Sequence, residues 1–337
     1  MKRRTVIMSA MGMASLAATG LANPWLRAAP AHSQELKIVT GAALAFGTTI
    51  SIQVAHDDQT QAELAIAAAL AAAQQIDRLM TLHRDDSQVG LLNRHGSLAQ
   101  PDPHLHTVLA SALELSRLTR GAFDITVQPL WQAYSAAALR GGLPSADQRL
   151  AAMALVDWRQ LHISAQRIAF RQPGMALTLN GIAQGYAVDV ARTVLAQHGI
   201  AHALLDTGEF AARGRRSAQH EWTVGIRAPR DAQALAAIVP LRGRCLATSG
   251  DYESSFTPDL RHHHIFDPAS GDSPAELASV SVIAATGMQA DGLSTAMMVL
   301  GPEKALALAA TLTDVDVLLI AKDGRQWRSA NLPTQRG

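Results

Sequence analysis

The segment QADGLSTAMMVLG, at Gln289–Gly301, combines an apolar helical repeat with oxygen-bearing side chains. The repeat consists of Leu293, Ala296, Met297 and Leu300. This spacing predicts a helix on which Asp291 and Thr295, four residues apart, share one face. Mg²⁺ prefers oxygen ligands and often takes only one or two carboxylates from a protein, so this pair can supply part of a magnesium shell. The spacing alone favours a simpler interpretation, in which the helix macrodipole stabilises the carboxylate and the threonine bonds its own helix.

Two further polar segments precede this helix, TSGDYE at Thr248–Glu253 and HHHIFDPASG at His262–Gly271. The first predicts a polar turn after a strand, which suits a phosphate or ribose but equally a plain β-turn. In an extended chain His262 and His264 project to one face and His263 to the other, which argues against a three-histidine zinc site. We therefore expect His262 and His263 to be solvated.

The composition is that of an ordinary globular protein with room for a large core. The 337 residues are 48% hydrophobic, and 29 basic residues nearly balance 28 acidic ones. No basic run occurs beyond the N-terminus, so a groove that follows nucleic-acid phosphates has no support. We expect no nucleic-acid partner.

Residues 1–33 have the organisation of an export signal. Lys2, Arg3 and Arg4 precede an apolar stretch from Val6 to Ala22, and small residues follow it. The adjacent arginines resemble a twin-arginine signal, although a chance pair in an ordinary secretory signal is an alternative. We expect a mature domain of residues 34–337 in the periplasm, with no stable membrane anchor because no cysteine lies near the cleavage region.

The pattern of the remaining chain predicts an α+β fold. No βαβ unit carries a GxGxxG fingerprint, so a Rossmann site has no support. Two strands are expected in Leu36–Ala55, joined near Ala43, and the stretch Gly141–Gly174 is expected to be rich in loops. The expected helices are Thr60 to Met80, a second begun by His104 or Thr107 and stopped by Gly121, Gln184–Gln197, Ala290–Leu300 and Pro302–Leu312.

Eight segments occur in a fixed order along nearly the whole mature chain. They are FGTTI (46–50), DSQVGLLN (86–93), GAFDITVQPLW (121–131), LNGIAQGYAVD (179–189), DTGEF (206–210), TSGDY (248–252), HIFDPASG (264–271) and ADGLSTAMMVLG (290–301). Together they resemble the ApbE family of periplasmic FAD:protein FMN transferases. LNGIAQGY resembles the branch associated with nitrous oxide reductase maturation.

The resemblance implies an ApbE-like α+β fold, with mixed or antiparallel sheets flanked by helices and a nucleotide cleft between two halves. It implies transfer of FMN from FAD to a threonine or serine hydroxyl of an exported or membrane acceptor protein, with release of AMP. The acceptor would be a flavoprotein of the periplasm or inner membrane, with the nitrous oxide reductase system as one candidate. By the same pattern Mg²⁺ would be held by Asp291, Thr295 and the main-chain carbonyl of Gly181.

The resemblance also implies a nucleotide-binding set and a catalytic histidine. The nucleotide positions are Phe46, His83, Ala122, Phe123, Asp124, Thr178, Gln184, Ser249 and Phe266. His264 would accept the proton of the acceptor hydroxyl, or only orient the nucleotide. Judged singly, Phe46 and Phe123 are typical of a core and Asp124 of a turn.

Two positions depart from the family pattern. Gln184 stands where many relatives carry Lys or an acid, and Thr207 where Gly is common, which puts the shape of that turn in question.

The reaction has two alternatives. Hydrolysis of FAD by water would use the same metal and phosphate geometry, and a non-catalytic FAD carrier or assembly factor would keep the fold without turnover.

Overall fold

The computed structural model describes residues 36–333, so the predicted export signal at 1–33 lies outside the described residues. Within this range thirteen strands form three sheets. The strands are β1 (Lys37–Ala45), β2 (Thr48–His56), β3 (Ser97–Ala99), β4 (Leu161–Ile163), β5 (Arg167–Phe170), β6 (Ala203–Asp206), β7 (Phe210–Arg213), β8 (Thr223–Ala228), β9 (Asp231–Pro240), β10 (Cys245–Gly250), β11 (Leu277–Ala284), β12 (Asp316–Ala321) and β13 (Gln326–Arg328).

Seven α-helices flank the sheets in residues 36–333. They are α1 (Gln59–Met80), α2 (Gln88–His95), α3 (Pro103–Leu118), α4 (Gln128–Ala138), α5 (Ala146–Met153), α6 (Ala183–Gln197) and α7 (Gly287–Thr311). The α+β class predicted from the sequence is confirmed.

The main sheet has eight strands in the order β1-β2-β6-β7-β10-β11-β12-β13. Every pairing in it is antiparallel. The smaller sheets, β3-β5-β4 and β8-β9, are antiparallel as well. Of the two sheet types expected, mixed or antiparallel, the protein has the antiparallel one.

The first hairpin confirms the two predicted strands but not the position of their turn. The chain reverses at Phe46 and Gly47, where φ is 53° and 69°, and not near Ala43. Glycine adopts this left-handed backbone without a Cβ penalty, so the turn falls there. The helix α1, expected to start at Thr60, begins one residue earlier, and Asp58 caps it by accepting a hydrogen bond from the backbone N–H of Gln61 at 3.0 Å.

Two hydrophobic cores meet along α7. One core joins α1, α3 and α6 to β1 and β2 and includes Ala296, whereas the other joins β11 and β12 to Leu293 and Met297. Gly301, with φ of 75°, breaks the helical geometry just before Pro302. The two predicted helical segments on either side of this break are therefore confirmed.

Three helices were missed in the sequence. α2 and α5 have eight residues each, and α4 directly follows a 3-10 turn at Ile125–Val127. The region expected to be mostly loops contains α5, which begins with a capping box between Ser145 and Gln148. Short helices carry too few apolar repeats to be recognised by periodicity.

The single cysteine, Cys245, begins β10 and is fully buried beside Asp189. Burial raises the pKa of its thiol to about 12.

Within residues 36–333, no helix combines the length and apolar character that a bilayer crossing requires.

Candidate active site

The start of α6 and the start of α7 lie against each other without intervening side chains. A Cβ on Gly185 would lie 2.2 Å from the carbonyl oxygen of Gly287, and a Cβ on Gly287 would lie 2.4 Å from the carbonyl oxygen of Gly185. Only glycine permits so close an approach of two backbones. Asp189 secures the contact, because its two carboxylate oxygens accept hydrogen bonds from the N–H groups of Gly287 and Met288, each at 2.9 Å.

This close approach places the Asp291 carboxylate at the N-terminus of α6. Asp291 is 4% exposed, and its Oδ2 accepts a hydrogen bond from the Gly185 N–H at 2.9 Å. Ile182, the residue before α6, offers no side-chain cap, so Asp291 satisfies one of the free donors of that helix. Burial raises the pKa of Asp291 to about 7, although the Gly185 hydrogen bond opposes the shift.

Thr295 lies one turn further along α7, beside Gly181. A Cβ on Gly181 would lie 2.8 Å from Thr295 Oγ1, so the backbone at Gly181 and this hydroxyl are neighbours. Ser249, at the end of β10, lies 3.1 Å from Thr295 Oγ1 and 2.7 Å from Ser294 Oγ. Thr295, Ser249 and Gly181 are half-buried, so these three residues form the accessible side of the site.

The predicted polar turn at Thr248–Gly250 is wrong in form, because these residues continue β10 and pair with β11. The Ser249 hydroxyl contacts Thr295, a predicted metal ligand, and the binding of a nucleotide by Ser249 stays a prediction. The structure thus brings together Gly181, Ser249, Asp291 and Thr295.

A second buried carboxylate, Glu209, borders this group and was not assigned a role from the sequence. It is 8% exposed, and its Oε2 accepts a hydrogen bond from the Thr248 N–H at 3.2 Å. Burial first, and the charge of Asp291 second, raise its pKa well above the ordinary value. The sequence shows Glu209 only as a member of the motif DTGEF, and this motif does not indicate that the Glu209 side chain is buried.

The acid pair has no basic partner in the part of the chain that the structure describes. No Lys, Arg or His forms an ion pair with Asp291 or Glu209. The further charges that act on Glu209 are those of Asp206 and Glu253, which are also negative. Among residues 36–333 no three His, Cys, Asp or Glu side chains converge as metal ligands, so a cation here would need hydroxyl and carbonyl oxygens as well.

Gln184 and Thr207, the two departures from the family pattern, are bonded to each other. The Gln184 amide donates to the Thr207 carbonyl at 2.9 Å, and the Thr207 hydroxyl donates to the Gln184 carbonyl at 3.1 Å. The left-handed position in this turn is Gly208, with φ of 98°, so the Thr207 side chain causes no backbone conflict. Gln184 therefore holds the turn between β6 and β7, and its contact with a nucleotide stays a prediction.

The three consecutive histidines differ in burial and in partners. His263 is fully buried, so the expectation that it is solvated is wrong. His262 is half-buried, and its Nδ1 lies 2.7 Å from Asp272 Oδ1. An extended segment alternates its side chains between two faces, but alternation does not show which face is inside.

His264 is a neutral imidazole whose Nε2 has no hydrogen-bond partner within residues 36–333. Its Nδ1 lies 3.1 Å from the Ser254 carbonyl oxygen, which can only accept, so Nδ1 carries the proton and Nε2 retains its lone pair. Burial lowers the pKa of His264, which keeps the ring neutral at pH 7. The negative charge of Glu253 opposes the lowering of the His264 pKa and also contributes to raising the pKa of Glu209.

Phe266 lies in an aromatic cluster beside α4. Its ring centroid is 5.0 Å from that of Tyr134 and 6.1 Å from that of Phe256. Phe266 is 4% exposed, so most of its surface packs against protein. Stacking on a nucleotide would use only the remaining edge of this ring.

Ala122, Phe123 and Asp124 precede α4 and lie next to the segment that leads to Gly181. The Thr178 N–H donates to the Ile125 carbonyl at 2.8 Å. Asp124 accepts from the backbone N–H and hydroxyl of Thr126 and from the Trp158 N–H, so the turn-forming interpretation of Asp124 is supported. Phe123 is buried in the first core, as its core interpretation expects.

Phe46 and His83 belong to other segments of the chain than Asp291 and Thr295. Phe46 is in the β1–β2 turn, half-buried against the first core, and His83 is exposed just after α1. No hydrogen bond or ring contact within residues 36–333 connects either side chain to Asp291 or Thr295. Their contact with a nucleotide stays a prediction.

Comparison with known proteins identifies the family of the chain. Residues 46–319 match the model of the ApbE family. The chain is 32% identical over 314 residues to the FAD:protein FMN transferase of Treponema pallidum, covering 86% of each chain. It is 33% identical over 275 residues to that of Salmonella typhimurium, covering 77% of this chain and 78% of the relative.

Solved structures of similar proteins share the whole fold. The flavinyl transferase ApbE of Pseudomonas stutzeri, in its apo form, matches with a TM-score of 0.76 and 32% identity over 88% of this chain and 94% of that one. The flavin transferase ApbE of Vibrio cholerae matches with a TM-score of 0.75 and 27% identity, over 88% and 98%. The fold and these relatives thus define an enzyme of the flavin transferase class. The chain belongs to the ApbE family.

Proposed function

We propose that this protein transfers FMN from FAD to a threonine or serine hydroxyl of an exported or membrane acceptor protein and releases AMP, with Mg²⁺ as the metal. The proposal rests on the names of its relatives and on one observation of its own structure. That observation is the convergence of Asp291, Thr295 and Gly181 beside a buried acid, Glu209, that has no basic partner among residues 36–333. The N-terminal sequence supports action in the periplasm.

The residues at this site fit a hard divalent cation. They offer a carboxylate oxygen, a hydroxyl and a main-chain carbonyl, which are the ligand types that Mg²⁺ accepts. Within residues 36–333, no Lys or Arg compensates the two buried acids, and a bound cation would supply the positive charge that favours their ionised form. When bound, Mg²⁺ would neutralise charge on the pyrophosphate oxygens.

The protein's own contribution to the reaction is positioning and proton transfer. The acceptor hydroxyl oxygen forms a bond to the phosphorus on the flavin side of FAD, and the bond from that phosphorus to the bridging oxygen breaks, so AMP leaves. His264 Nε2, free and neutral, takes the hydroxyl proton. Phosphoryl transfer needs little more than this, because alignment and charge neutralisation supply most of the rate.

A single assay tests the proposal. Purified protein of residues 34–337 is mixed with FAD, MgCl₂ and a candidate acceptor domain, and AMP, free FMN and protein-bound flavin are measured. We expect AMP in equal amount to flavin bound to the acceptor, with bound flavin lost when the acceptor threonine is changed to alanine. AMP with free FMN would instead indicate hydrolysis, and FAD binding without AMP a carrier.

A further inference from the structure

The role of Glu209 is not explained by the proposed transfer chemistry. Its side chain is buried, yet it lies in a turn at the edge of the site, between β6 and β7. A buried carboxylate costs free energy unless it is compensated by hydrogen bonds and opposite charge. Among the described residues, the Glu209 carboxylate accepts one hydrogen bond, from the Thr248 N–H at 3.2 Å, which supplies part of this compensation and no charge.

Two consecutive residues of α6 hold the two acids in place. Gln184 binds the turn that carries Glu209 through its reciprocal hydrogen bonds with Thr207, and Gly185 donates to Asp291. The turn also packs closely on this side chain, because a Cβ on Gly208 would lie 2.3 Å from Gln184 Nε2. The two carboxylates are thus fixed to the same helix end, although like charges repel.

Glu209 is also connected to the predicted ligand Thr295. Thr248, which donates to Glu209, is followed by Ser249, and the Ser249 hydroxyl lies 3.1 Å from Thr295 Oγ1. The acid therefore lies behind the accessible side of the site formed by Gly181, Ser249 and Thr295. A negative charge there acts on a cation bound at that side through a low-dielectric interior, where Coulomb attraction is strong.

We propose that Glu209 is the second carboxylate of the metal centre and supplies negative charge that holds the divalent cation beside Asp291. This inference rests on the proposed function, because it assumes that a cation binds at Asp291 and Thr295. Glu209 acts here through its charge, and the Gln184–Thr207 hydrogen bonds keep that charge close to the site.

The test compares Glu209→Gln with the wild-type protein in binding of Mn²⁺, which substitutes for Mg²⁺ and is visible by electron paramagnetic resonance. The amide keeps the shape of the side chain and can still accept from Thr248, but it has no charge. We expect Mn²⁺ titrated as MnCl₂ to bind at least about tenfold more weakly to Glu209→Gln. Glu63→Gln, the same change on the exposed face of α1, should bind Mn²⁺ as the wild type does.

Thermal unfolding distinguishes a role of the Glu209 charge in metal binding from a role of its side chain in the stability of the fold. Without metal, Glu209→Gln should unfold at the same temperature as the wild type or higher, because burying an ionisable carboxyl beside Asp291 costs free energy that a neutral amide does not. MnCl₂ should raise that temperature less than in the wild type. Wild-type Mn²⁺ affinity in Glu209→Gln would overturn the inference. A variant that unfolds at lower temperature with an unchanged response to MnCl₂, or does not fold, would also overturn it.

These outcomes are distinct from failure of the proposed function. FMN transfer by the wild type together with normal Mn²⁺ binding by Glu209→Gln would refute the role of Glu209 alone. Weakened Mn²⁺ binding by Glu209→Gln with no transfer by the wild type would support the metal centre and refute the transfer reaction.

Discussion

Asp291 is the carboxylate on which the proposed metal site depends most directly. Replacing it in Asp291→Ala should lower FMN transfer by at least about a thousandfold, because the cation loses its charged ligand. The Gly185 N–H also loses its acceptor, at a cost of about 1–3 kcal/mol, which a folded domain of this size can tolerate. Transfer measured as AMP release, with circular dichroism to verify folding, checks this prediction.

The control for this variant is Asp231→Ala, which removes an exposed carboxylate at the start of β9. It should transfer FMN at the wild-type rate. Full activity in Asp291→Ala would refute the assignment of the metal site.

His264 is the residue proposed to move a proton. His264→Gln keeps a hydrogen-bonding side chain but no base, so kcat should fall by about 10²–10³ while FAD affinity changes little. In the wild type, kcat should be constant above pH 6.5 and fall in more acidic solution, because burial places the pKa of His264 below its ordinary value of 6.5. Steady-state rates from pH 5 to 8 measure both effects, and an unchanged kcat in His264→Gln would show that the ring only orients the nucleotide.

The predictability of the site differs from residue to residue. Helical periodicity alone placed Asp291 and Thr295 on one face, and α7 contains both. Periodicity could not indicate Gly181, because a main-chain carbonyl ligand requires no particular side chain. Its role as a ligand was predicted from the family resemblance alone. Glu209 was missed and His263 misjudged for a common reason: burial of a polar side chain depends on what packs over it, which short segments do not encode.

At the scale of secondary-structure elements, the glycine contact between α6 and α7 determines where Asp291 lies. Gly185→Ala would place its Cβ 2.2 Å from the Gly287 carbonyl oxygen and 2.6 Å from Asp291 Cβ, so the helices must separate. We expect a loss of about 1–3 kcal/mol in unfolding free energy and weaker Mn²⁺ binding. Gly142→Ala, where no atom lies within 4 Å of the new Cβ, should change neither quantity. Urea unfolding and Mn²⁺ titration check both variants, and a wild-type response from Gly185→Ala would mean that the helix contact adjusts freely.

Elements with long or strongly alternating patterns were predictable, and short ones were not. α1 and the two parts of α7 were identified because their apolar residues repeat over several turns. α2, α4 and α5 have between eight and eleven residues, so one or two turns of apolar pattern had to compete with nearby Gly, Pro and polar residues. The sheet order was not predictable, because pairing such as that of β2 with β6 depends on contacts distant in sequence.

At the scale of the whole molecule, the buried His263 makes stability depend on pH. Burial, with the nearby charge of Lys322, lowers its pKa from 6.5 to about 4. The unfolded chain therefore binds a proton between pH 6.5 and 4 and the folded protein does not, so the free energy of unfolding falls as pH drops below 6.5 and is unaffected by this group above it. At pH 5 the expected loss relative to pH 7.5 is ~2 kcal/mol.

The variant His263→Gln isolates this contribution. Glutamine does not titrate, so the difference in stability between pH 7.5 and pH 5 should be smaller in the variant by about the same ~2 kcal/mol. Chemical denaturation at the two pH values measures it. An equal pH dependence in both proteins would assign the acid sensitivity to other groups.

The burial of Cys245 has a practical consequence for the study of this enzyme. A thiol with a pKa of about 12 carries almost no thiolate near neutral pH, and it is the only thiol in the sequence. In the folded protein, Cys245 should thus react very slowly with maleimides and disulfide reagents, and purification should need no reductant. A new cysteine at an exposed position such as Leu139 would be the sole target of a fluorophore or spin label, and acceptor binding could be followed without first removing the native thiol.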